Sequence, residues 1–163
     1  MKLRFVTNLV VLLGLSGSLF AADPLVGTWK LNVDKSKATG PGKYPARPLK
    51  EWTVVYEEHE GQLVCSEAEI YEDGSPVLVK FTVPSTGGTV HFSQTDLPEG
   101  VSMTLSPRRE DSHTADWPVE MGGKVIATAR DVVSSDGKTL TSTIRGNDAE
   151  GKPYELIVVL ERQ

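Results

Sequence analysis

The sequence has one cysteine, Cys65, and three histidines among its 163 residues. A single cysteine excludes an intramolecular disulfide, so stability must come from a hydrophobic core, which a chain of this length can build. The histidines His59, His91 and His113 show no His-x-His or His-Glu-x-x-His spacing, and we expect no metal site. Phosphate-binding glycine loops, dinucleotide fingerprints and Gly-x-Ser-x-Gly are also missing, so we expect neither a cofactor nor catalysis.

Long apolar runs are confined to the beginning of the chain. Lys2 and Arg4 precede a short apolar stretch, and Ala21 offers a small residue for cleavage, with Ala22 as the alternative. The run is too short to favour a membrane-spanning helix. This pattern predicts a removable signal peptide at residues 1–21, and therefore a secreted or periplasmic protein. Export with one unpaired thiol favours a bacterial source.

Basic residues are the minority. The chain has 17 Lys and Arg against 22 Asp and Glu, a net charge of −5; loss of Lys2 and Arg4 with the leader leaves 15 against 22, or −7. An acidic surface repels phosphate groups, so we expect neither nucleic acid nor anionic lipid as a partner. Residues 22–163 have the length of a single domain, with no integral membrane segment expected.

The segment Leu-Val-Gly-Thr-Trp-Lys-Leu at residues 25–31 predicts the first strand. Apolar side chains alternate along it, which places Gly27 and Trp29 on the buried side and Lys30 towards water. A glycine beside the largest side chain lets another part of the chain approach the backbone closely. We expect this strand to form the closed floor of a small barrel.

A proline-rich crossing follows at residues 34–50. It contains three prolines, which disfavour a helix or a central strand. A crossing of this length in a compact domain is often functional, but a plug across one end of the barrel is an equally good interpretation.

From Glu51 onward, short segments of alternating apolar and polar residues are separated by turn signals. The turns contain Glu60-Gly61, Asp73-Gly74, Gly87-Gly88, Glu99-Gly100, Gly122-Gly123, Asp136-Gly137 and Glu150-Gly151. Regular hairpin spacing without helices predicts an all-β protein. We expect an antiparallel up-and-down β-barrel of about eight to ten strands, because a sandwich usually needs longer crossings and closure removes exposed edges.

The motif Gly27-Thr28-Trp29 resembles the Gly-x-Trp signature of the lipocalin and fatty-acid-binding-protein superfamily. The resemblance implies that an Arg or Lys from a late strand lies over this tryptophan and closes the barrel floor. Arg162 is the first candidate because it shares parity with the apolar residues of the last strand, and Arg145 is the second. An arginine on an indole face contributes about 1–2 kcal/mol when partly desolvated.

The whole of residues 22–163 is similar to small secreted bacterial lipocalin-like proteins of uncharacterised function. The matching segments are Asp23-Pro24 through Lys35-Ser36-Lys37, Val133 to Thr141, and Gly146 to Gly151. The chain lacks the helix pair that fatty-acid-binding proteins carry after the first strand. A helical portal is therefore not expected here.

The alternating faces from Glu51 onward predict an aromatic-rich lumen. Its candidate ligand-binding residues are Trp52, Tyr56, Phe81, Phe92, Met103 and Trp117. Such a lumen either holds one small apolar or amphipathic molecule or is filled by side chains. We expect a non-catalytic carrier of a small hydrophobic ligand. One alternative is an envelope protein-interaction module with a packed barrel, and another is a small-lumen enzyme of the cyclase or isomerase type.

The predicted strand that contains Val64 to Ile70 also carries a cysteine and two acidic residues. Its apolar members Val64, Ala68 and Ile70 predict one inward face, which turns Cys65 and the two carboxylates Glu67 and Glu69 towards solvent. On this interpretation the thiol is idle. If the strand were inverted, both carboxylates would enter the lumen and serve acid–base chemistry or a cationic ligand.

Overall fold

The computed structural model describes residues 23–42, 48–84 and 86–163. The expected leader at 1–21 and the middle of the proline-rich crossing, 43–47, lie outside the described residues. The described chain forms one antiparallel sheet. Its strands are β1 Gly27–Leu31, β2 Lys37–Thr39, β3 Leu49–His59, β4 Gln62–Tyr71, β5 Pro76–Val83, β6 Val90–Gln94, β7 Met103–Leu105, β8 Arg108–Arg109, β9 Thr114–Met121, β10 Lys124–Val133, β11 Thr139–Asn147 and β12 Pro153–Arg162.

Ten of these strands form a closed barrel in the order β1, β3, β4, β5, β6, β7, β9, β10, β11, β12. The last strand returns to the first, with Trp29 opposite Arg162 and Leu31 opposite Leu160. The short strand β8 pairs with β9 beside the wall. The predicted all-β, up-and-down barrel is therefore confirmed. In the described residues the one helical element is a 3₁₀ turn at Val33–Lys35, and no helix there is long and apolar enough to cross a bilayer.

The described part of the proline-rich crossing extends the barrel wall. Strand β2 pairs with the first half of β12, with Ala38 opposite Leu156, while β1 pairs with its second half. The side chain of Ser36 joins the two pairings, because its hydroxyl accepts from the backbone N–H of Val159 at 3.0 Å. Residues 37–39 therefore lie along β12 as a strand. The interpretation of the crossing as a plug depends also on residues 43–47, which lie outside the described residues, and stays a prediction.

The hairpin between β3 and β4 sets the faces of both strands. Glu60 and Gly61 have φ values of 52° and 75°, which is the geometry of a tight two-residue turn, and His59 pairs with Gln62 beside it. The register that follows places Cys65 opposite Tyr56 and Glu67 opposite Val54. Directly opposite residues share a face, so both point into the barrel with Val54 and Tyr56. The prediction that Cys65, Glu67 and Glu69 face solvent is wrong.

The tightest packing lies at the end of the barrel closed by β1 and β12, which we call the floor. Trp29 is completely buried, and Leu25, Leu140 and Leu160 are nearly so. The opposite end, which we call the mouth, contains the β11–β12 loop. The core is thus concentrated at the floor, and the middle of the barrel contains a cavity.

Candidate functional site

Arg162 closes the floor through both stacking and hydrogen bonding. Its guanidinium carbon lies 4.1 Å from the centre of the Trp29 ring. The same group donates to the backbone oxygens of Gly137, Val26 and Pro24, each at 2.6 Å. One planar cation thus ties the first strand, the β10–β11 turn and the segment before β1 together.

Gly27 provides the space for this arrangement. A Cβ atom at Gly27 would lie 2.3 Å from the Arg162 Nη1 atom, and the glycine adopts φ 142°, which other residues rarely do. The Trp29 indole N–H donates to the Leu25 oxygen at 2.8 Å and completes the floor. Arg145, the second candidate for closure, instead pairs with the Glu155 carboxylate at 2.7 Å on the outer surface.

A partly enclosed cavity of about 510 Å³ occupies the barrel interior. All six residues predicted to line a lumen lie on its wall: Trp52, Tyr56, Phe81, Phe92, Met103 and Trp117. The cavity extends from Leu160 near the floor to residues 147–149 at the mouth. A second depression, of about 630 Å³, lies outside between β2, β10, β11 and β12 and is open to solvent.

Aromatic rings form much of the cavity wall. Trp117 lies between two of them, with its ring centre 6.3 Å from that of Tyr56 and 5.6 Å from that of Phe81. The three rings come from β9, β3 and β5, so the barrel curvature brings them together. Rings at these separations present a stiff apolar surface to anything inside the cavity.

Glu67 also lies on the cavity wall, and sequence reasoning placed it outside. Its Oε2 atom accepts from the Trp52 indole N–H at 3.0 Å, and the Cys65 thiol approaches Oε1 at 3.6 Å. Burial, together with the neighbouring charges of Glu69 and Asp131, raises the pKa of this carboxyl to about 8, against the lowering effect of its two hydrogen bonds. Glu67 is therefore mostly protonated at neutral pH.

Asp131 is the second buried acid of the cavity and is 6% exposed. Burial raises its pKa to about 6, against hydrogen bonding from Ser142, which lies directly opposite on β11. The Tyr56 hydroxyl approaches Oδ2 at 3.5 Å from the other side. Two acids of different pKa thus lie on opposite walls of the same cavity.

The thiol and phenol beside these acids remain protonated. Burial raises the pKa of the Cys65 thiol far above its ordinary value, and the charge of Glu67 adds to this. Burial likewise raises the pKa of the Tyr56 hydroxyl. Since the thiolate is the reactive form, Cys65 is an unreactive group inside the barrel.

Three more carboxylates lie nearer the mouth, at Glu69, Asp96 and Asp148. The Tyr71 hydroxyl donates to Glu69 in a short hydrogen bond. In the described part of the chain, no lysine, arginine or histidine contributes to the cavity wall. The ionisable wall residues that the structure describes are therefore carboxylic acids and tyrosines.

The turn at Glu60-Gly61 contained the sequence signal that places Glu67 inside the barrel. A tight turn at Glu60-Gly61 pairs His59 with Gln62, and counting back along both strands places Glu67 on the face of Trp52 and Tyr56. Val64 and Ile70 led to the opposite face being predicted as the inward one, because that prediction considered only the apolar residues on each face. Asp131 shares its parity with Ala127, Ala129 and Val133, opposite Thr128 and Arg130, so alternation along its own strand could have placed it inside.

The histidines lie at the surface and away from one another. His59 lies near Glu57 on the outside of β3, and His91 near Ser102. Among residues 23–42, 48–84 and 86–163, no three histidine, cysteine or carboxylate side chains are arranged to hold a metal ion. The expectation of no metal remains a prediction.

No protein-family model and no curated protein sequence matches the chain. Comparison with solved structures does find similar folds. Rv2717c from M. tuberculosis is 17% identical with a TM-score of 0.51, over 86% of this chain and 93% of that one. Zebrafish ileal bile acid-binding protein, in complex with cholic acid, is 12% identical with a TM-score of 0.50, over 86% of this chain and 99% of that one. At these identities the comparisons show the fold alone.

Proposed function

We propose that the barrel binds and carries a small apolar or amphipathic molecule without transforming it. The observation that carries this proposal is the cavity of about 510 Å³ lined by aromatic rings, which has the size and surface typical of a small-molecule site. A filled interior would instead have favoured the protein-interaction module. Protein interiors are ordinarily close-packed, so a cavity of this size supports a role in ligand binding.

A protein of similar fold has been solved in complex with a small amphipathic molecule. The zebrafish bile acid-binding protein was solved with cholic acid, and its fold covers 86% of this chain. The similarity supports the capacity of this architecture to hold a small amphipathic molecule. It does not transfer the ligand, because fold and function vary independently.

A cavity-filling variant tests the proposal. A neutral apolar probe such as decanol is titrated while the fluorescence of Trp52 and Trp117, both on the cavity wall, is recorded. Ala129→Phe places a ring inside the cavity, whereas Ala68→Phe places the same ring on the exposed outer face of β4. We expect at least about tenfold weaker binding for A129F and unchanged binding for A68F.

The result that overturns the proposal is equally direct. If wild-type protein binds no neutral probe, or if a folded A129F protein binds as well as A68F, the cavity is not the binding site. Native mass spectrometry of protein purified from its own host then tests whether a small molecule accompanies the chain. A co-purifying molecule is expected.

Acid–base catalysis is the second candidate function, and the two interior acids favour it. Glu67, with a pKa of about 8, and Asp131, with a pKa of about 6, could act as acid and base at neutral pH. An isomerase or cyclase would convert a bound compound, and the products are visible by mass spectrometry. Recovery of the co-purifying molecule unchanged after prolonged incubation favours the carrier.

We also propose that the chain is exported and loses residues 1–21. The charged and apolar pattern of that segment supports this. Intact-mass measurement of protein recovered from the host envelope should give the mass of a chain beginning at Ala22 or Asp23. A full-length mass in the cytoplasmic fraction would contradict export.

A further inference from the structure

The charge of the cavity distinguishes among the molecules it could hold. Its ionisable lining consists, within the described residues, of the carboxylates Glu67, Glu69, Asp96, Asp131 and Asp148 and the hydroxyls of tyrosines. An anionic amphiphile entering such a space meets charges of its own sign. A cation would instead be attracted to Glu67 and Asp131, whose hydrogen-bonding neighbours among the described residues are all neutral.

Glu67 has no cationic partner in the described structure. Its two hydrogen-bonding neighbours are the Trp52 indole and the Cys65 thiol, both neutral. The charges that act on it come from Glu69 and Asp131, which share its sign. Buried carboxylates are ordinarily paired or protonated, because an isolated charge in an apolar surrounding is very unfavourable. A ligand cation would supply the missing partner.

Asp131 is in a similar position on the opposite wall. Its neighbours Tyr56 and Ser142 are uncharged hydroxyl groups. Arg109 acts on it from outside the cavity, where it forms an ion pair with Asp23. The positive charge nearest to Asp131 is therefore already engaged elsewhere.

Trp117 adds a further neutral group beside Asp131. This residue is 5% exposed and lies on the cavity wall. Its indole N–H is buried and is close enough to Asp131 to lower the pKa of that carboxyl, but no group in the described residues accepts from it with the geometry of a hydrogen bond. Buried donors are nearly always satisfied, so Asp131 is the acceptor within its reach, and the hydrogen-bonding neighbours of this carboxylate among the described residues are all neutral.

The aromatic walls suit an organic cation better than a metal ion. Tyr56, Phe81 and Trp117 lie on the wall of the same cavity as the two acids, with Trp117 against both other rings, and ring faces attract ammonium groups as well as alkyl chains. A hard metal ion would need several further oxygen ligands in regular geometry. Two carboxylates in an aromatic cavity instead match a bulky cation with an apolar body.

We propose that the cavity selects an amphipathic organic cation, a protonated amine or quaternary ammonium compound, whose positive group lies between Glu67 and Asp131 against the aromatic wall. The proposal rests on the proposed function, since it names the chemical class of the carried molecule. The apolar part of the ligand would extend towards the mouth, along Phe92 and Met103.

Three probes with one tail test the charge preference. Decyltrimethylammonium, decanol and decanoate are titrated below their micelle concentrations, with tryptophan fluorescence as the signal. We expect the cation to bind at least about tenfold more tightly than decanol, and decanoate to bind most weakly. Equal binding of the three would overturn the charge preference while leaving the carrier function intact, whereas failure of all three would overturn both.

Charge-neutral variants locate the preference. Glu67→Gln and Asp131→Asn, singly and together, remove the proposed partners, and Glu58→Gln removes an exposed carboxylate at the turn end of β3 as a control. We expect the double variant to bind the cation no more tightly than decanol, with decanol binding retained. A preference that persists in the double variant, or that is lost in E58Q, would overturn the placement.

The affinity for the quaternary cation should also rise with pH. Neither this probe nor decanol titrates, so the change must come from the protein. The groups that face the two acids are Glu69 and Cys65 on β4, Tyr56 on β3 and, from outside, Arg109. We expect the cation to bind at least about tenfold more tightly at pH 8.5 than at pH 5.5, with decanol unchanged. A pH-independent ratio would contradict the proposal.

Discussion

At the scale of single residues, Glu67 makes stability depend on pH in an unusual direction. Its pKa rises from 4.5 to about 8 on folding, and that of Asp131 from 3.8 to about 6. Between these limits the folded state holds protons that the unfolded state has released. The contribution of these two carboxyls to the stability of the fold is therefore complete below about pH 4 and is lost as the pH rises to about 8.

Glu67→Gln should remove most of this dependence. The amide keeps an acceptor for the Trp52 indole but never ionises, so we expect E67Q to match the wild type near pH 5 and to exceed it at pH 8.5. The slope removed is at most about 1.4 kcal/mol per pH unit. Urea unfolding from pH 5 to 8.5 measures it, with Glu58→Gln as the exposed control. Parallel wild-type and E67Q profiles would refute the buried, protonated state.

The same residue shows why sequence reasoning failed locally. Counting apolar residues favoured Val64 and Ile70 as the inward face, whereas the turn at Glu60 and Gly61 fixes the register through backbone geometry. A tight turn leaves no freedom to slip by one residue, so two partly buried apolar side chains face outward instead. A buried acid breaks the apolar pattern on which such a prediction depends.

Gly27 is the second residue with a specific consequence. Both Gly27 and Gly74 adopt positive φ, but only at Gly27 would a Cβ meet another side chain, Arg162. Gly74→Ala should cost about 1–2 kcal/mol from backbone strain alone. Gly27→Ala should cost at least about 2 kcal/mol more, because it also displaces the guanidinium from the Trp29 ring. Thermal unfolding of the two variants measures the difference, and equal losses would show that Arg162 is not confined there.

At the scale of elements, the wall of the barrel is uneven. Strands β4 and β5 pair continuously from Leu63–Val83 to Ile70–Pro76, whereas in the described residues β5 and β6 pair at Val79–Gln94 and Lys80–Ser93 alone. Fewer ladder bonds give a seam that opens at lower free energy. The seam runs beside Phe81 and Phe92 on the cavity wall, where a ligand could pass.

Hydrogen exchange tests this seam. We expect the backbone amides of Val90–Gln94 to exchange at least about tenfold faster than those of Pro153–Arg162, which pair on both sides with β11, β1 and β2. Exchange followed by mass spectrometry at peptide resolution gives the comparison, with the β3–β4 hairpin as an internal reference. Equal protection of the two strands would rule out the seam.

The elements themselves were largely predictable. Alternation and turn glycines placed the strands from residue 51 onward, because hairpin geometry needs positive φ at the turns and a period of two between them. The short strand β2 was not predicted. It lies within a basic, proline-containing stretch and is held by backbone pairing to β12, a long-range contact that local sequence does not reveal.

At the scale of the whole molecule, the closed barrel and the floor contact between Trp29 and Arg162 followed from the sequence motif and strand count. The interior cavity did not follow from the sequence. Aromatic side chains pack a core or line a cavity with the same alternation, and the choice depends on barrel radius and strand tilt. Those quantities belong to the assembled sheet.

Cys65 offers a measure of opening for the barrel as a whole. Its side chain is buried in the interior, so a bulky disulfide reagent reaches it only when the wall opens. We expect labelling at least about a hundredfold slower than in urea-unfolded protein, and slower still with a saturating ligand, which stabilises the closed state by mass action. Rapid labelling of the native protein, unaffected by ligand, would contradict an interior thiol.

The bonds of Arg162 to the oxygens of Val26 and Pro24 join positions 136 and 138 residues apart. A growing polypeptide cannot make them until almost all of its strands have been synthesised, and closing so long a loop comes late in assembly. The polypeptide therefore leaves the ribosome before this contact can close the barrel. The export proposed above would act on that open chain, and the barrel would close after it.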